Sequence, residues 1–335
     1  AEGDRMTRII AQHHLEGSQH VTVMPNVSAI PRISTNYSVF TDVSQLVRPR
    51  IAMMVLVTVF AAMWLTSGSR ELNWLSAVGV LVGTAAVAVS SSVANQILER
   101  HTDRLMPRTE ARPLAAGRLS QRTAWMLVVG SLLGGSGCVW LAGNWQAACV
   151  AIGTWVLYVT VYTPLKKITP LNTAVGAVAG SLPVAIGWFA VDGQQQFLTG
   201  NASATLAVAA LGTVLYLWQF PHFMAIAWLY RDQYRLAGLK MLTVTDPSGL
   251  RAAGQSLAAS LAMVPVSLSM AVPSGSIRMF LAAALASTLY VLVSVNFAFR
   301  RDDRSARILL FASLGVLLIL MTSAIAFSSP KVLSG

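Results

Sequence analysis

Asn95, Glu99 and Asp103 stand four residues apart in the run Asn95-Gln96-Ile97-Leu98-Glu99-Arg100-His101-Thr102-Asp103. On an α-helix a step of four turns about 400°, so the three side chains drift roughly 40° per step and share one face. Two carboxylates and an amide oxygen facing one way suit a hard cation such as Mg2+, which is typically shared between one or two carboxylates and substrate phosphates. The same residues also fit a solvated helix end whose acids pair with Arg100, Arg104 and Arg108. Just beyond them lie Arg108 and Arg112, and guanidinium forks bind phosphate oxygens bidentately. Lys166 and Lys167 follow Tyr162-Thr163-Pro164-Leu165. Acids for a metal beside bases for phosphate are what a diphosphate requires, because together they offset a leaving group's charge. Each base taken alone is equally a topology signal.

The elements that carry these residues are set by hydropathy. The chain has 335 residues, of which 55% are apolar and only 11% charged, and its mean hydropathy is +0.60. Soluble domains carry about 25% charged residues, so a soluble enzyme, a disordered scaffold and a secreted disulfide module are excluded. A bilayer core needs about 20 apolar residues per helix. Such runs fall at 47–67, 74–98, 122–142, 146–163, 172–190, 204–229, 253–272, 278–298 and 307–327. The expected fold is therefore an all-α integral membrane protein with nine transmembrane helices. An ionisable residue at membrane depth, as at the end of the second run, favours a functional reading.

Basic residues fix the expected orientation. Arg100, Arg104, Arg108, Arg112, Arg118 and Arg122 follow the second run, and Lys166 and Lys167 the fourth. Arg231, Arg235, Lys240 and Arg251 follow the sixth; Arg300, Arg301, Arg304 and Arg307 follow the eighth. The opposite loops hold only Arg70 and Arg278. The positive-inside rule puts the N-terminus and these basic loops in the cytoplasm and the C-terminus outside. The net charge of +11 is thus topology and not a nucleic-acid groove. Residues 1–44 are expected as a polar, disordered cytoplasmic tail in which His13, His14 and His20 are solvated. Residues 45–330 are expected as the membrane domain and 331–335 as a short outer tail. Cys138 and Cys149 lie in apolar runs and are expected in the core. Gly176-x-x-x-Gly180 and Gly130-x-x-x-Gly134 are expected at close helix contacts. Asp246 before Pro247 is expected to start a turn.

Asn95-Gln96-x-x-Glu99-x-x-x-Asp103-x-x-Met106-x-Arg108-Thr109-x-x-Arg112-Pro113-Leu114 resembles the first acid-rich motif of the protoheme IX farnesyltransferases, the heme O synthase branch of the UbiA-type membrane prenyltransferases. Tyr162-Thr163-Pro164-Leu165-Lys166-Lys167, with Asn172, Gly176, Gly180, Pro183 and Gly187-Trp188, is similar to the next signature. Trp218-Gln219-Phe220-Pro221-His222-Phe223 and Tyr234-Arg235-Leu236-Ala237-Gly238-x-x-Met241 look like the third. The resemblance runs from about Leu46 to Phe327. Glu99 and the Trp-Gln-x-Pro-His run separate this branch from the aromatic-acid prenyltransferases.

The resemblance implies nine helices around a cavity open to the cytoplasmic side, in a bacterial plasma (inner) membrane. It implies transfer of the farnesyl group of farnesyl diphosphate to a vinyl group of heme b, with water added, to give heme O. Handover to heme A synthase or to terminal oxidase assembly factors follows from that product. Asn95, Glu99 and Asp103 are then the ligands for Mg2+; Arg108, Arg112, Lys166 and Lys167 hold the diphosphate. His222 is either a ligand to heme iron, a partner for a propionate, a handler of the water proton, or a structural histidine. Trp218 and Phe223 are expected as wall or core. One position departs: the family commonly has Asp where this chain has Gln233, and Asp232 lies one residue earlier. One residue on a helix is a rotation of about 100°, so Asp232 enters the metal set only if the backbone adjusts. Other readings are a prenyltransferase for a quinone or chlorophyll precursor, and a polytopic transporter or assembly factor without catalysis.

Overall fold

The structure is a computed structural model that describes residues 39–68, 70–200 and 202–327. Thirteen elements are used below. α1 is Val39–Val47 and α2 Pro49–Ser67; α3 is Trp74–Asp103 and α4 Gln121–Ala142. α5 is Trp145–Leu165 and α6 Asn172–Ala190, each one membrane span. α7 is Gly193–Leu198, α8 Ala202–Leu229, α9 Arg231–Leu236 and α10 Leu242–Thr245. α11 is Leu250–Ser269, α12 Ile277–Arg300 and α13 Asp303–Phe327. Among the described residues, nine of these helices are long and apolar enough to cross a bilayer. The chain is a multi-pass membrane protein, and no described residue is in a strand.

Helix starts follow capping chemistry. Asn73, Ser120, Asn144 and Ser276 each accept a hydrogen bond from the backbone N–H three residues on, opening α3, α4, α5 and α12. These short polar side chains satisfy donors that the first helical turn leaves orphaned. Asp246 does similar work before α11, accepting from the Ser248 N–H at 3.2 Å and the Arg251 N–H at 2.8 Å, in keeping with the expected turn. The second span runs beyond its apolar segment to Asp103, so all three candidate ligands lie on continuous helix.

Prolines fall within four spans, Pro265 lying inside α11. Pro164 follows a π-helical turn over Leu157–Tyr162 in α5, Pro183 follows a break at Leu182 in α6, and Pro221 lies inside α8. Each removes one backbone donor, a loss that a membrane span tolerates where neighbouring helices offer partners. Beside Pro221, the Trp218 carbonyl accepts from the Tyr290 hydroxyl of α12 at 2.7 Å.

Small residues bring α3 and α4 together. A Cβ on Gly83 would lie 2.6 Å from the Gly135 carbonyl oxygen, and one on Gly135 would lie 2.7 Å from that of Gly83. The expected Gly130 and Gly134 contact is not there: a Cβ on either would meet no other helix within 4 Å, because they point away from α3, one helical face round from Gly135. Gly176 and Gly180 do sit at contacts, against the Tyr162 ring and the Gln219 side chain. The cysteines also differ from expectation. Cys149 is exposed and Cys138 half-buried, since in a membrane protein the apolar exterior accepts what a soluble core would have to bury.

The stretch expected as a tail contributes a helix. Residues 1–38, with His13, His14 and His20, and residues 328–335, with the outer tail, lie outside the described residues. From Val39, however, α1 is formed, and its Asp42 accepts a bidentate ion pair from Arg118, closest at 2.7 Å. Arg48 joins α1 to α2 with φ 51 and ψ 64. That left-handed conformation costs a non-glycine residue about 1–2 kcal/mol.

Candidate active site

The end of α3 is locked from several sides. The Ser92 hydroxyl donates to the Leu46 carbonyl at 2.7 Å, and the Gln96 amide to that of Gln45 at 3.0 Å, fastening the α1–α2 joint to α3. Beyond Asp103 the chain folds back. The Thr109 hydroxyl donates to the Asp103 carbonyl at 3.0 Å, and Arg104 Nε to the Ala115 carbonyl at 2.7 Å. Met106, Leu114 and Ala115 are buried beneath this loop. Two further loops close in. The Lys240 N–H donates to the Lys166 carbonyl at 2.7 Å, and Asn172 Nδ2 bridges the Thr169 and Lys240 carbonyls.

Within this frame Asn95 is 0% exposed, Glu99 9% and Asp103 1%. The shared face read from the spacing is therefore turned inward. Asp103 accepts both of its carboxylate bonds from Arg112 Nη1, at 2.8 and 2.7 Å. Glu99 Oε1 accepts from Lys166 Nζ at 2.7 Å, and Glu99 Oε2 lies 3.9 Å from Arg112. Two acids and two bases thus form one neutral cluster. Burial disfavours the Lys166 ammonium, but Glu99 and the nearby tyrosines outweigh it and hold its pKa above the ordinary lysine value. The ammonium also lies 4.4 Å from the Tyr162 ring centre. Burial, with the neighbouring charge of Arg48, pushes the Arg112 pKa down.

Asn95 is aimed by the π-helical turn. In that turn the Thr163 N–H reaches Tyr158, five residues back. The Thr163 hydroxyl donates to the same Tyr158 carbonyl at 2.9 Å. Its one hydrogen being spent there, it accepts from Asn95 Nδ2 at 3.1 Å. This fixes the amide so that Asn95 Oδ1 is buried without a partner. An orphaned buried oxygen above two carboxylates fits a hard divalent cation, and Asn95, Glu99 and Asp103 are the donors that would hold Mg2+. No cluster of three or more His, Cys, Asp or Glu occurs among the described residues, so any such site needs the amide and a ligand's oxygens.

Other candidates are placed differently. Arg108 is exposed, 4.7 Å from the Tyr230 ring centre, and donates to the Tyr234 hydroxyl at 3.3 Å. Lys167 is exposed. The structure does not bring Asp232 to the cluster: its side chain is 74% exposed and 3.6 Å from Arg235. The rotation of one residue decides this, because Gln233, next in line, carries the buried and unpartnered Oε1. His222 stacks on Trp218 with ring centres 4.6 Å apart, and its Nδ1 lies 2.8 Å from the Ser313 hydroxyl. Ser313 donates its own hydrogen to the Leu310 carbonyl at 2.6 Å, so it accepts from Nδ1–H and leaves the lone pair on Nε2. Trp218 is buried and donates to the Ser313 carbonyl at 2.6 Å, as a wall residue should; Phe223 is half-buried against His222.

Sequence reasoning missed Arg48 and the aiming role of Thr163, and it marked Gln233 only as the position of an absent acid, not as a buried oxygen without a partner. Arg48 was one more base at a membrane edge, and only its buried, unpartnered Nη2 distinguishes it.

The model of the UbiA prenyltransferase family matches residues 55–325. A protoheme IX farnesyltransferase of Rhodopirellula baltica is 42% identical over 289 residues, covering 83% of this chain and 98% of that protein. One from Solibacter usitatus is 34% identical over 282 residues, covering 81% and 93%. Among solved structures, a digeranylgeranylglyceryl phosphate synthase superposes with TM-score 0.69 at 15% identity, covering 86% of this chain and 98% of that one. A UbiA homologue from Archaeoglobus fulgidus bound to GPP and Mg2+ superposes with TM-score 0.61 at 19% identity, covering 86% and 99%.

Proposed function

The chain belongs to the UbiA prenyltransferase family, and from that premise we propose that it is a protoheme IX farnesyltransferase, making heme O from heme b and farnesyl diphosphate. The similarity to the Rhodopirellula baltica protein over nearly its whole length carries the acceptor. The buried acid–base cluster, topped by the free Asn95 oxygen, supports the diphosphate donor.

When bound, Mg2+ supplies Lewis-acid neutralisation of the diphosphate oxygens. This chain's residues do the rest by exchanging partners. With the metal bound, Glu99 and Asp103 would serve as its ligands, and Lys166 and Arg112, which pair with them in the empty site, would hold phosphate oxygens. Arg108 and Lys167, exposed at the rim, guide the anion in. The C1–O bond of the donor breaks with its electron pair going to the diphosphate. The π pair of the heme vinyl group forms the new C–C bond to the farnesyl cation, and water adds to the carbon left electron-poor, losing a proton. The alkene needs no strong base, which agrees with a site built for charge stabilisation and exclusion of bulk water. His222, with its lone pair on Nε2, suits ligation of heme iron or acceptance of that proton; Nε2 has no hydrogen to give a propionate.

The cluster lies among the basic loops, so we place it at the cytoplasmic face of a bacterial plasma membrane, with residues 45–330 as the catalytic unit and the C-terminus outside. The test is mass spectrometry of hemes extracted after incubating the purified protein with heme b, farnesyl diphosphate and Mg2+. A heme heavier by one farnesyl and one hydroxyl group, absent with EDTA and from Asp103→Ala, is expected. Product from Asp103→Ala at the normal rate would remove the metal assignment; heme binding without any adduct would remove the acceptor.

A further inference from the structure

The charges of the cluster balance only while it is empty. Glu99 and Asp103 are matched by Lys166 and Arg112. A prenyl diphosphate trianion with one divalent cation brings in one net negative charge. When the C1–O bond breaks, the diphosphate gains another. Some further cation must face those oxygens from within the protein, since Arg108 and Lys167 stay at the exposed rim.

Arg48 has the required position. It follows two residues after Leu46, whose carbonyl is held by Ser92 and Gln96 of α3. Ser92, Gln96, Glu99 and Asp103 are spaced four, three and four residues apart, so they line one face of that helix. Arg48 is thereby pinned alongside the acidic face, and its charge acts on Glu99, Asp103 and Arg112. Yet its Nη2 is buried with no hydrogen-bond partner, and it forms no ion pair with either acid. A buried guanidinium nitrogen left unpaired is costly. So is the left-handed backbone, φ 51, that a non-glycine residue adopts there before Pro49. Both features point to a function that holds this side chain in place.

We infer that Arg48 is a diphosphate-binding residue, its free Nη2 taking a phosphate oxygen of the prenyl donor and opposing the charge that grows as the leaving group departs. The inference rests on the prenyltransferase reading above.

The experiment uses the full chain in detergent and the unreactive analogue farnesyl thiolodiphosphate with Mg2+, titrated by calorimetry, beside a separate absorbance titration with heme b. Arg48→Gln and Arg48→Gly are compared with Arg48→Lys. The glycine variant relieves the backbone strain, so its folding is secure. Loss of one charge-assisted contact is expected to weaken analogue binding roughly tenfold to a hundredfold in the first two variants. Arg48→Lys should retain most of the affinity, and heme affinity should stay within twofold of wild type. With the true donor, kcat should fall further than KM rises, because the contact strengthens as charge develops. Analogue affinities within twofold of wild type, or a loss confined to the heme titration, would overturn the assignment. Failure of the wild-type protein to bind the analogue at all would instead overturn the prenyltransferase reading.

Discussion

Thr163→Val deletes one hydroxyl at nearly constant volume and tests how the metal site is aimed. In the native structure that hydroxyl gives its hydrogen to the Tyr158 carbonyl and takes one from Asn95 Nδ2. Tyr158 keeps its bond from the Thr163 backbone N–H, so only Asn95 Nδ2 is orphaned, at a fully buried position. A buried donor without a partner costs about 1–3 kcal/mol. The amide can escape part of this by rotating, which turns nitrogen where Oδ1 had pointed. At about 1.4 kcal/mol per decade, the Mg2+ concentration for half-maximal turnover should rise roughly five- to hundredfold. Mn2+ binding followed by electron paramagnetic resonance, with the thiolodiphosphate present, should weaken in parallel. Thr163→Ser keeps the hydroxyl and should restore both. If the valine variant loses thermal stability but keeps the wild-type metal dependence in both assays, Thr163 merely packs and the reasoning fails.

Glu99→Gln removes the partner that raises the Lys166 pKa while leaving the amine buried. In the native protein the raised value keeps that charge, and its share of stability, until pH climbs through the folded pKa; in the variant the amine should lose its proton at lower pH. Acylation of Lys166, mapped by mass spectrometry from pH 7 to 10, should therefore rise in Glu99→Gln, and an unchanged profile would contradict the pairing. Gly83→Ala drives a methyl against the Gly135 backbone and should cost about 1–3 kcal/mol, whereas Gly130→Ala, facing open space, should be nearly neutral in a thermal melt. Gln233→Asp puts a carboxylate at a buried oxygen that now has no partner; Mn2+ affinity with the thiolodiphosphate should increase, and no gain would show that position 233 faces away from the metal.

Periodicity made the spans legible, because a bilayer demands long apolar helices whatever they pack against. It also made the Asn95, Glu99, Asp103 face legible, since a step of four depends on helix geometry alone. It could not say which side of that face is inward or which bases turn back to it. Arg112 does, through a loop folded over Asp103, while Arg108, four residues earlier, leans on Tyr230 and Tyr234. Such choices belong to loops, which carry no period. Glycines were half legible for the same reason: Gly130, Gly134 and Gly135 are alike in sequence, and only the helix phase against α3 selects Gly135. The π-helical turn adds one residue to the local count and shifts everything after it. Without it, Thr163 would not stand over Asn95.

The resting cluster also explains why metal and diphosphate should arrive together. Mg2+ alone would draw Glu99 and Asp103 from Lys166 and Arg112, leaving two buried cations unpaired. Removing one partner of a buried pair costs about 3–5 kcal/mol, which offsets much of what a hard cation gains from two carboxylates and the Asn95 oxygen. Diphosphate alone would draw the bases away and leave the acids bare, at a similar cost. Bound together, each supplies the partner that the other displaces, and the one negative charge left over falls to Arg48. Mn2+ without diphosphate should accordingly bind at least tenfold more weakly than with inorganic diphosphate present, a coupling of about 1.4 kcal/mol or more. The same factor must appear when diphosphate is titrated with and without metal, after allowance for the metal–diphosphate complex in solution. Equal Mn2+ affinity in both conditions would mean that the two ion pairs do not open on binding, and that the metal sits elsewhere than between Glu99 and Asp103.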